Sequence, residues 1–266
     1  MSAAPASLRR RTYWALSDAW VVTKYNLIAV PRVPELLVFL TIQPILFVVL
    51  FRYVFGGAIN TPGLSYVDFL IPGIIVQTVA FGGITTGIGL AEDLQKGVID
   101  RLRSLPMARY ALLAGRTVAD IGRNLFSIVL MVAVGFIVGF SFHDTDVAKI
   151  VAGVLLLLLF GFAFSWIAAL IGLSVPNAEV AQSAGFIWLF PLTFASSAFV
   201  PVDSMPDWLQ AFADVNPVTQ TVNAVRELWL GAPSGNAILW SIVWSVGLVA
   251  IFAPLATLRY RRTSRA

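Results

Sequence analysis

The 266-residue sequence contains no cysteine, a single histidine and few charged residues. Without cysteine the chain can form neither disulfides nor thiolate metal sites, and it has no thiol nucleophile. Charged residues make up only 12% of the chain, whereas hydrophobic residues make up 58%. Soluble globular domains carry about 25% charged residues, so this composition excludes an ordinary soluble domain.

A nucleotide-binding loop is also missing. The P-loop pattern G-x-x-x-x-G-K-[ST] requires a lysine followed by serine or threonine, and none of the three lysines is followed by either. No convergent set of titratable or nucleophilic residues predicts a catalytic site. We therefore expect a chain that is not an ATPase by itself and that binds no cofactor of its own.

The one histidine, His143, stands beside Asp144 and Asp146 between two apolar runs. A histidine and two carboxylates are metal-ligand types, but a lone histidine in a short polar stretch is more often part of a solvated turn. We interpret this stretch as a turn and predict no metal site.

Long apolar runs are the dominant feature of the sequence, and its mean hydropathy is +0.84. A helix that crosses a bilayer core about 30 Å thick needs about 20 mostly apolar residues. The runs predict a single all-α integral membrane domain over residues 1–266, with six transmembrane helices. Their predicted ranges are 35–55, 68–91, 109–140, 147–174, 179–201 and 236–259. No apolar run directly follows Arg9, Arg10 and Arg11, so we expect the first helix to serve as an uncleaved signal.

The basic residues predict the orientation of these helices. With six crossings both termini face one side, and that side receives fifteen of the eighteen Lys and Arg residues. The other side receives Arg52, Lys149 and Arg226. Because Lys and Arg are enriched in cytoplasmic segments, we expect both termini to be cytoplasmic in a bacterial plasma membrane. The net charge of +4 then reflects topology and contact with membrane lipids rather than nucleic-acid binding.

Three shorter amphipathic segments accompany the long helices. Residues 12–29 place aromatic and apolar side chains at helical spacing, which is typical of a helix lying along the membrane interface. Residues 92–106 carry an apolar stripe and many charges, and they predict a short cytoplasmic helix that either lies on the bilayer or docks in a soluble partner. Residues 204–231 predict two short external helices, the first capped by Ser204 and the second by Asn216, with a stop at Gly231.

Two further patterns have competing interpretations. Arg116, Asp120 and Arg123 share one helix face, where they could form a proton relay or a structural ion pair near the cytoplasmic interface. We favour the structural interpretation, since the uninterrupted apolar run begins only at residue 125. The pairs Gly83/Gly87 and Gly135/Gly139 have GxxxG spacing, which indicates close helix packing either within the chain or with a second copy.

Four stretches resemble a known family: YVFGGAI at 53–59, YVDFLIPGI at 66–74, LQKGVIDRLRSLPMAR at 94–109 and NPVTQTVNAVRELWLG at 216–231. Their order and spacing are similar to those of ABC-2 type transporter permeases, in the daunorubicin/doxorubicin-resistance branch. The resemblance extends over nearly the whole chain, from about residue 10 to 262.

The resemblance implies an exporter subunit that works with a second permease subunit and with a separate ATPase subunit, which binds ATP and Mg²⁺. It implies that 92–106 is the coupling helix, with an expected contact set of Leu94, Lys96, Val98, Asp100, Arg101 and Arg103. It also implies that 12–29 abuts the ATPase subunit, and that the external helices are re-entrant segments at the outer mouth. Whether those external helices gate the pathway or anchor the last helix is open.

Scattered polar residues in the predicted helices are candidates for lining the pathway. They are Gln43, Gln77, Thr78, Thr85, Thr193, Ser196 and Ser197. A mostly apolar surface with a few hydrogen-bonding groups suits a hydrophobic or amphipathic cargo, such as a drug, a polyketide or a lipid. Export of such compounds would confer drug or antibiotic resistance by efflux.

Two other functions compete with this one. A secondary transporter or channel would need no ATPase subunit, and it would be expected to contain a buried acidic or histidine relay and inverted repeats. A non-transporting membrane scaffold would use residues 92–106 only as an anchor. For each polar residue in the helices, simple hydrogen bonding between helices is the competing role.

Overall fold

The computed structural model describes residues 34–59, 61, 63–97 and 111–262, leaving aside the side chains of 34–41 and 111–114. Regular structure in these ranges is entirely helical, which confirms the all-α expectation. The helices are α1 (Pro34–Leu50), α2 (Tyr66–Gln95), α3 (Ala111–Val138), α4 (Val147–Gly172), α5 (Ala178–Phe194), α6 (Asp207–Val215), α7 (Pro217–Leu230) and α8 (Ala237–Arg262). A π-helical turn at Phe51–Phe55 extends α1, and a short 3₁₀ turn at Val202–Ser204 precedes α6.

Each of the six predicted long helices coincides with an observed helix, namely α1 to α5 and α8. By length and apolar composition, four of the described helices can cross a membrane: α2, α3 from Gly115 onward, α4 and α8. The described apolar part of α1, at Ile42–Phe55, and the 17-residue α5 are shorter. The count of six crossings therefore stays a prediction, and the predicted interfacial helix at 12–29 lies outside the described residues.

Helix α5 ends at Phe194, seven residues before the predicted end at 201. The reason lies in polar groups that take up the last carbonyls of the helix. The amide of Asn216 donates to Leu192 O at 2.7 Å and to Ala195 O at 2.9 Å. A helix terminus leaves such carbonyls without intrahelical partners, so these bonds allow the chain to turn away inside the protein.

Side-chain caps begin several of the helices. Ser65 accepts a hydrogen bond from the backbone N–H of Asp68 at 3.2 Å, and its hydroxyl donates to that carboxylate at 2.6 Å. Asp146 and Asn177 cap α4 and α5 in the same manner, each accepting from the backbone N–H three residues on, at 2.8 Å. These caps satisfy helix N–H groups that would otherwise lack a partner.

The two external helices were predicted with one error. Asn216 caps α7 by accepting from Val218 N at 2.9 Å, and Gly231 ends that helix at φ +65°, as expected. Ser204, however, caps nothing. Its hydroxyl donates to Pro201 O at 2.7 Å, and α6 begins at Asp207 without a side-chain cap. The 3₁₀ turn at Val202–Ser204 does not continue into the helix, because Pro206 has no backbone N–H to donate to that turn. The helix therefore begins after Pro206.

Helix α2 is the centre of the fold. It is buried along most of its length and contacts α3, α4, α5 and α7. Its closest neighbour is α4, where a Cβ added to Gly87 would lie 2.7 Å from Ala168 O, and one added to Gly172 would lie 2.1 Å from Gly87 O. The Gly83/Gly87 pair therefore packs within the chain. At the other pair, Gly139 ends α3 at φ +102° with open space around it, so no two-glycine contact forms there.

We expect Gly172→Ala to destabilise the protein by about 2 kcal/mol, because the added methyl group meets backbone atoms of α2 that cannot move aside. Gly247→Ala is the matched control, since a Cβ at that position on α8 meets nothing within 4 Å. Thermal unfolding of both variants in detergent should lower the melting temperature of Gly172→Ala only. Equal melting temperatures would contradict the close α2–α4 contact.

Candidate functional site

A cavity of about 320 Å³ lies between α1, α2 and α5. None of the described residues that line it is charged. Five aromatic rings form much of its wall, contributed by Phe47, Phe81, Phe186, Phe190 and Phe194. The polar lining consists of three amides and two hydroxyls, from Gln43, Gln77, Gln182, Thr78 and Thr85. Such a site suits an apolar molecule that carries a few hydrogen-bonding groups.

The polar groups of the cavity differ in what they offer to a ligand. The hydroxyl of Thr78 donates to Ile74 O at 2.7 Å, and that of Thr85 donates to Gly82 O at 2.8 Å. Both hydroxyls thus use their hydrogens within α2 and present only acceptor lone pairs. Gln77 is 8% exposed, and no described residue forms a hydrogen bond with its amide. Its two N–H donors and its carbonyl are therefore available to a ligand.

Four of the seven predicted lining residues meet at this cavity: Gln43, Gln77, Thr78 and Thr85. The other three lie at the break after α5 and bond to neighbouring protein atoms. Thr193 donates to Leu189 O at 2.8 Å, Ser196 donates to Thr193 O at 2.6 Å, and Ser197 donates to Asn223 Oδ1 at 2.9 Å. That any of the seven contacts a cargo stays a prediction.

Sequence reasoning missed Gln182, which lines the cavity from the start of α5. A usable signal was present. Gln182, Phe186, Phe190 and Phe194 recur every four residues, and this spacing places them along one face of a helix. One polar and three aromatic side chains on a single helix face indicate a surface that lines a cavity. The prediction was based on single polar residues and did not use this spacing.

Arg226 was predicted to be one of three basic residues on the outer side, yet it is 4% exposed. Its guanidinium donates to Phe69 O at 2.6 and 3.1 Å and to Ser197 O at 2.8 Å, with a weaker contact to Asn223 Oδ1 at 3.2 Å. It also lies 3.5 Å from the ring centroid of Phe69. The planar fork of arginine suits such a set of acceptors, so one side chain ties α7 to α2 and to the break after α5.

Asp120 is buried between α2 and α3, with 1% exposure. It accepts a hydrogen bond from the Thr86 hydroxyl and forms an ion pair with Arg123. Arg123 also donates to Gly82 O at 3.1 Å. The carboxylate therefore has its own counter-charge, which favours the structural interpretation over a proton relay. Because Gly82 also lines the cavity, this ion pair lies directly behind the cavity wall.

The loop around His143 docks on the end of α7. His143 N donates to Trp229 O at 3.0 Å, and the Thr145 hydroxyl donates to Leu228 O at 2.7 Å. Asp146 serves as the cap of α4. Across the residues that the structure describes, no group of three His, Cys, Asp or Glu side chains is placed to hold a metal ion. These contacts support the interpretation of the stretch as a turn.

The profile of the ABC-2 type transporter family matches residues 17–230, which include the cavity, the charged pair and both external helices. The chain belongs to the ABC-2 type transporter family. It is 36% identical to the daunorubicin resistance ABC transporter permease protein DrrB1 of Streptomyces coeruleorubidus, covering 88% of this chain and 83% of that protein. It is 27% identical to the probable doxorubicin resistance permease DrrC of Mycobacterium tuberculosis, covering 84% and 80% of the two chains.

A more distant relative is the probable multidrug ABC transporter permease YbhR of Escherichia coli. It is 22% identical over 69% of this chain and 49% of its own length. The resemblance inferred from four short stretches of sequence is thus confirmed, and the chain is a membrane permease of the ABC-2 type.

The predicted coupling helix of this permease is only partly described. Glu92 to Gln95 continue α2, and the chain then turns at Gly97, which has φ +65°. The first four residues of the predicted segment thus belong to α2, and a coupling helix over 92–106 stays a prediction. Of the predicted contact set, Val98, Asp100, Arg101 and Arg103 lie outside the described residues.

The described end of α2 is fixed by charge. Lys96 pairs with Glu92 at 2.9 Å, and this hydrogen bond raises the pKa of Lys96. Asp93 pairs with Arg116 of α3 at 2.8 Å. Leu94 packs against the apolar cluster of Leu90, Trp166, Leu173 and Tyr260. The two helices that flank the 98–110 segment are thus joined to each other just before and just after it.

We expect Arg226→Met to destabilise the permease by about 3 kcal/mol, because the buried carbonyls of Phe69 and Ser197 would lose the donors that the guanidinium supplies. Arg226→Lys should fall between wild type and Met, since an ammonium cannot reach all of these acceptors at once. Thermal unfolding in detergent measures both, with Arg52→Met in the turn after α1 as control. A melting temperature of Arg226→Met equal to that of the control would show that the carbonyl cage contributes nothing.

Proposed function

We propose that this chain is the membrane-spanning permease subunit of an ATP-driven exporter that moves a hydrophobic or amphipathic compound out of the cytoplasm or the inner leaflet. The observation that carries the proposal is the family match over residues 17–230. The printed names of the relatives concern daunorubicin, doxorubicin and multidrug resistance, and they support a drug, polyketide or lipid as cargo. The uncharged, aromatic cavity agrees with this class of compound.

The proposed arrangement has six spanning helices, both termini in the cytoplasm and a location in the bacterial plasma membrane. Four described helices are long enough to cross a bilayer, and α1 and α5 would complete the set. The distribution of Lys and Arg supports the orientation. Of the three basic residues assigned to the outer side, Arg226 is buried within the protein.

ATP hydrolysis would take place on a separate ABC ATPase subunit, which binds ATP and Mg²⁺, because the chain has no P-loop. The chain itself would not be an enzyme and would bind no cofactor. Residues 98–106 are the proposed docking segment for that subunit, together with Leu94 and Lys96. The ion pair between Asp93 and Arg116 would make the flanking helices respond together when the segment is displaced.

A second permease subunit, identical or related, is proposed to cover the open side of the cavity. Exposed apolar side chains border that side on both flanking helices, with Ile42 and Leu46 on α1 and Phe186 and Phe190 on α5. A membrane-facing helix can be apolar without a partner, but the cavity amides of Gln43 and Gln182 would then meet hydrocarbon. A partner subunit would shield both amides.

The two external helices have different contacts, which favour different roles. α7 is largely buried and held by Arg226, so its proposed role is to anchor. α6 is amphipathic and exposes Trp208, Phe212 and Val215. These side chains suit a segment that lies in the outer interface at the mouth of the pathway.

A secondary transporter is the competing function, and one observation favours it: Asp120 is a buried acid. Its carboxylate is paired with Arg123 and accepts a hydrogen bond from Thr86, so its two oxygens have structural partners. The competing function predicts transport by this chain without an ATPase subunit.

The docking segment can be tested by replacing three of its charges. Asp100→Ala/Arg101→Ala/Arg103→Ala should abolish copurification with the ATPase subunit and stop ATP-dependent export, because the partner would lose its charged contacts. The matched control, Asp214→Ala/Arg52→Ala/Lys149→Ala, removes the same net charge from the proposed outer side. Copurification should be measured from membranes that express both subunits.

Two results would count against this proposal. Unchanged copurification and export by the docking variant would show that the segment is not the contact. Loss of copurification in the control variant alone would show that the orientation is inverted.

A further inference from the structure

We infer that Gln77 is the specificity-determining residue of the cavity, and that the cavity selects uncharged, ring-containing molecules bearing carbonyl or hydroxyl oxygens. This inference rests on the proposed function, because it assumes that the cavity takes cargo. It adds the chemistry by which one cargo is preferred to another.

The described cavity wall offers no counter-charge to an ion. None of its described side chains is ionisable, and the ion pair of Asp120 with Arg123 lies behind Gly82 with its charges already paired. A charged ligand would lose its water without gaining a counter-charge, which costs far more than transfer of a neutral polar group. The cavity therefore discriminates against ions.

The aromatic wall of the cavity favours ligands with flat rings. The three phenylalanines of α5, together with Phe47 and Phe81, give the wall several flat apolar surfaces. Phe81 and Phe186 meet edge to face across the cavity wall, with ring centroids 5.5 Å apart. Offset and edge-to-face contacts favour further aromatic rings over flexible chains. A ligand with fused rings matches this wall better than a single acyl chain does.

Gln77 is the decisive hydrogen-bonding group of the cavity. Of the three lining glutamines, Gln43 and Gln182 are exposed at the open side, whereas Gln77 is 8% exposed. A buried amide is ordinarily paired, because an unpaired one loses about the free energy of its hydration. In the described part of the chain the amide of Gln77 is paired with nothing, and it lies in the cavity wall. A ligand oxygen is the partner that its N–H groups would take.

The neighbouring hydroxyls of Thr78 and Thr85 further define which hydrogen-bond donors and acceptors a ligand should carry. Thr78 and Thr85 present acceptors only, since each donates within α2. Gln77 presents both donors and an acceptor. A ligand that carries a carbonyl and an adjacent hydroxyl satisfies this combination, whereas a pure hydrocarbon leaves the amide unpaired.

Three probes with the same fused-ring framework separate these contributions. They are 1,4-dihydroxyanthraquinone, which is neutral and oxygenated; anthracene, which is neutral without oxygens; and anthraquinone-2-sulfonate, which is oxygenated and anionic. Binding should be measured by fluorescence titration of the full chain in lipid nanodiscs, with protein-free nanodiscs subtracted to remove partitioning. We expect dihydroxyanthraquinone to bind most tightly and the sulfonate most weakly.

Gln77→Leu should weaken dihydroxyanthraquinone binding about tenfold, the effect of losing one to two hydrogen bonds, and leave anthracene unchanged or tighter. Gln77→Glu keeps the size of the side chain and should also weaken binding of the same probe, because a carboxyl group offers one donor at most in place of the two amide N–H groups. Gln95→Leu is the matched control, since Gln95 is exposed at the end of the same helix and does not line the cavity.

The inference is wrong if Gln77→Leu and Gln77→Glu bind dihydroxyanthraquinone as tightly as the wild type does. It is also wrong if Gln77→Leu weakens the binding of dihydroxyanthraquinone and of anthracene by the same factor, or if the wild type binds the sulfonate as tightly as dihydroxyanthraquinone. No detectable binding of dihydroxyanthraquinone to the wild type would overturn it as well. The titration uses neither ATP nor the ATPase subunit. Failure of the proposed ATP-driven function would appear instead as export that is independent of that subunit, with binding selectivity intact.

Discussion

The rest of the structure depends on the close contact between α2 and α4. Gly87 and Gly172 bring the two backbones so near that no side chain fits between them. In a membrane, where apolar side chains gain little from leaving the lipid, such van der Waals packing supplies much of the association between helices. This contact holds α2 in the centre of the fold. Helix α2 supplies several of the residues that line the cavity, and its C-terminal end leads into the docking segment.

Several buried polar groups join distant parts of the chain through hydrogen bonds. Arg226 donates hydrogen bonds to carbonyls of two other parts of the chain, and Asn216 donates to carbonyls at the end of α5. Asp120 accepts a hydrogen bond from Thr86 and forms an ion pair with Arg123. Each of these groups would be costly in an apolar interior without a partner. Gln77 differs from them in place, because it lies in the cavity wall and no described residue forms a hydrogen bond with its amide. Its position in that wall makes the amide accessible to a ligand.

Much of this arrangement was predictable from sequence. Apolar runs located all six long helices, and the Asn216–Pro217 start and the Gly231 stop of α7 follow from local backbone chemistry. Four polar residues of the cavity could be named, since intramembrane polar groups are rare and conspicuous. The burial of Arg226 could not be predicted, because its acceptors are carbonyls more than 25 residues away in the sequence, which have no sequence signature. The early end of α5 and the turn at Gly97 were missed for a related reason, since an apolar or charged run does not reveal where tertiary contacts redirect the backbone.

In the proposed function, ATP bound by a separate subunit moves the walls of the cavity in this chain. Because the sequence lacks cysteine, Ile88→Cys on α2 and Gln182→Cys on α5 can be spin-labelled without background, and the distance between the labels can be measured by double electron–electron resonance. We predict that this distance distribution shifts when ATP is added in the presence of the ATPase subunit and stays constant in its absence. A distance distribution that does not change when ATP is added, or that shifts with an ion gradient when the ATPase subunit is missing, would contradict the account.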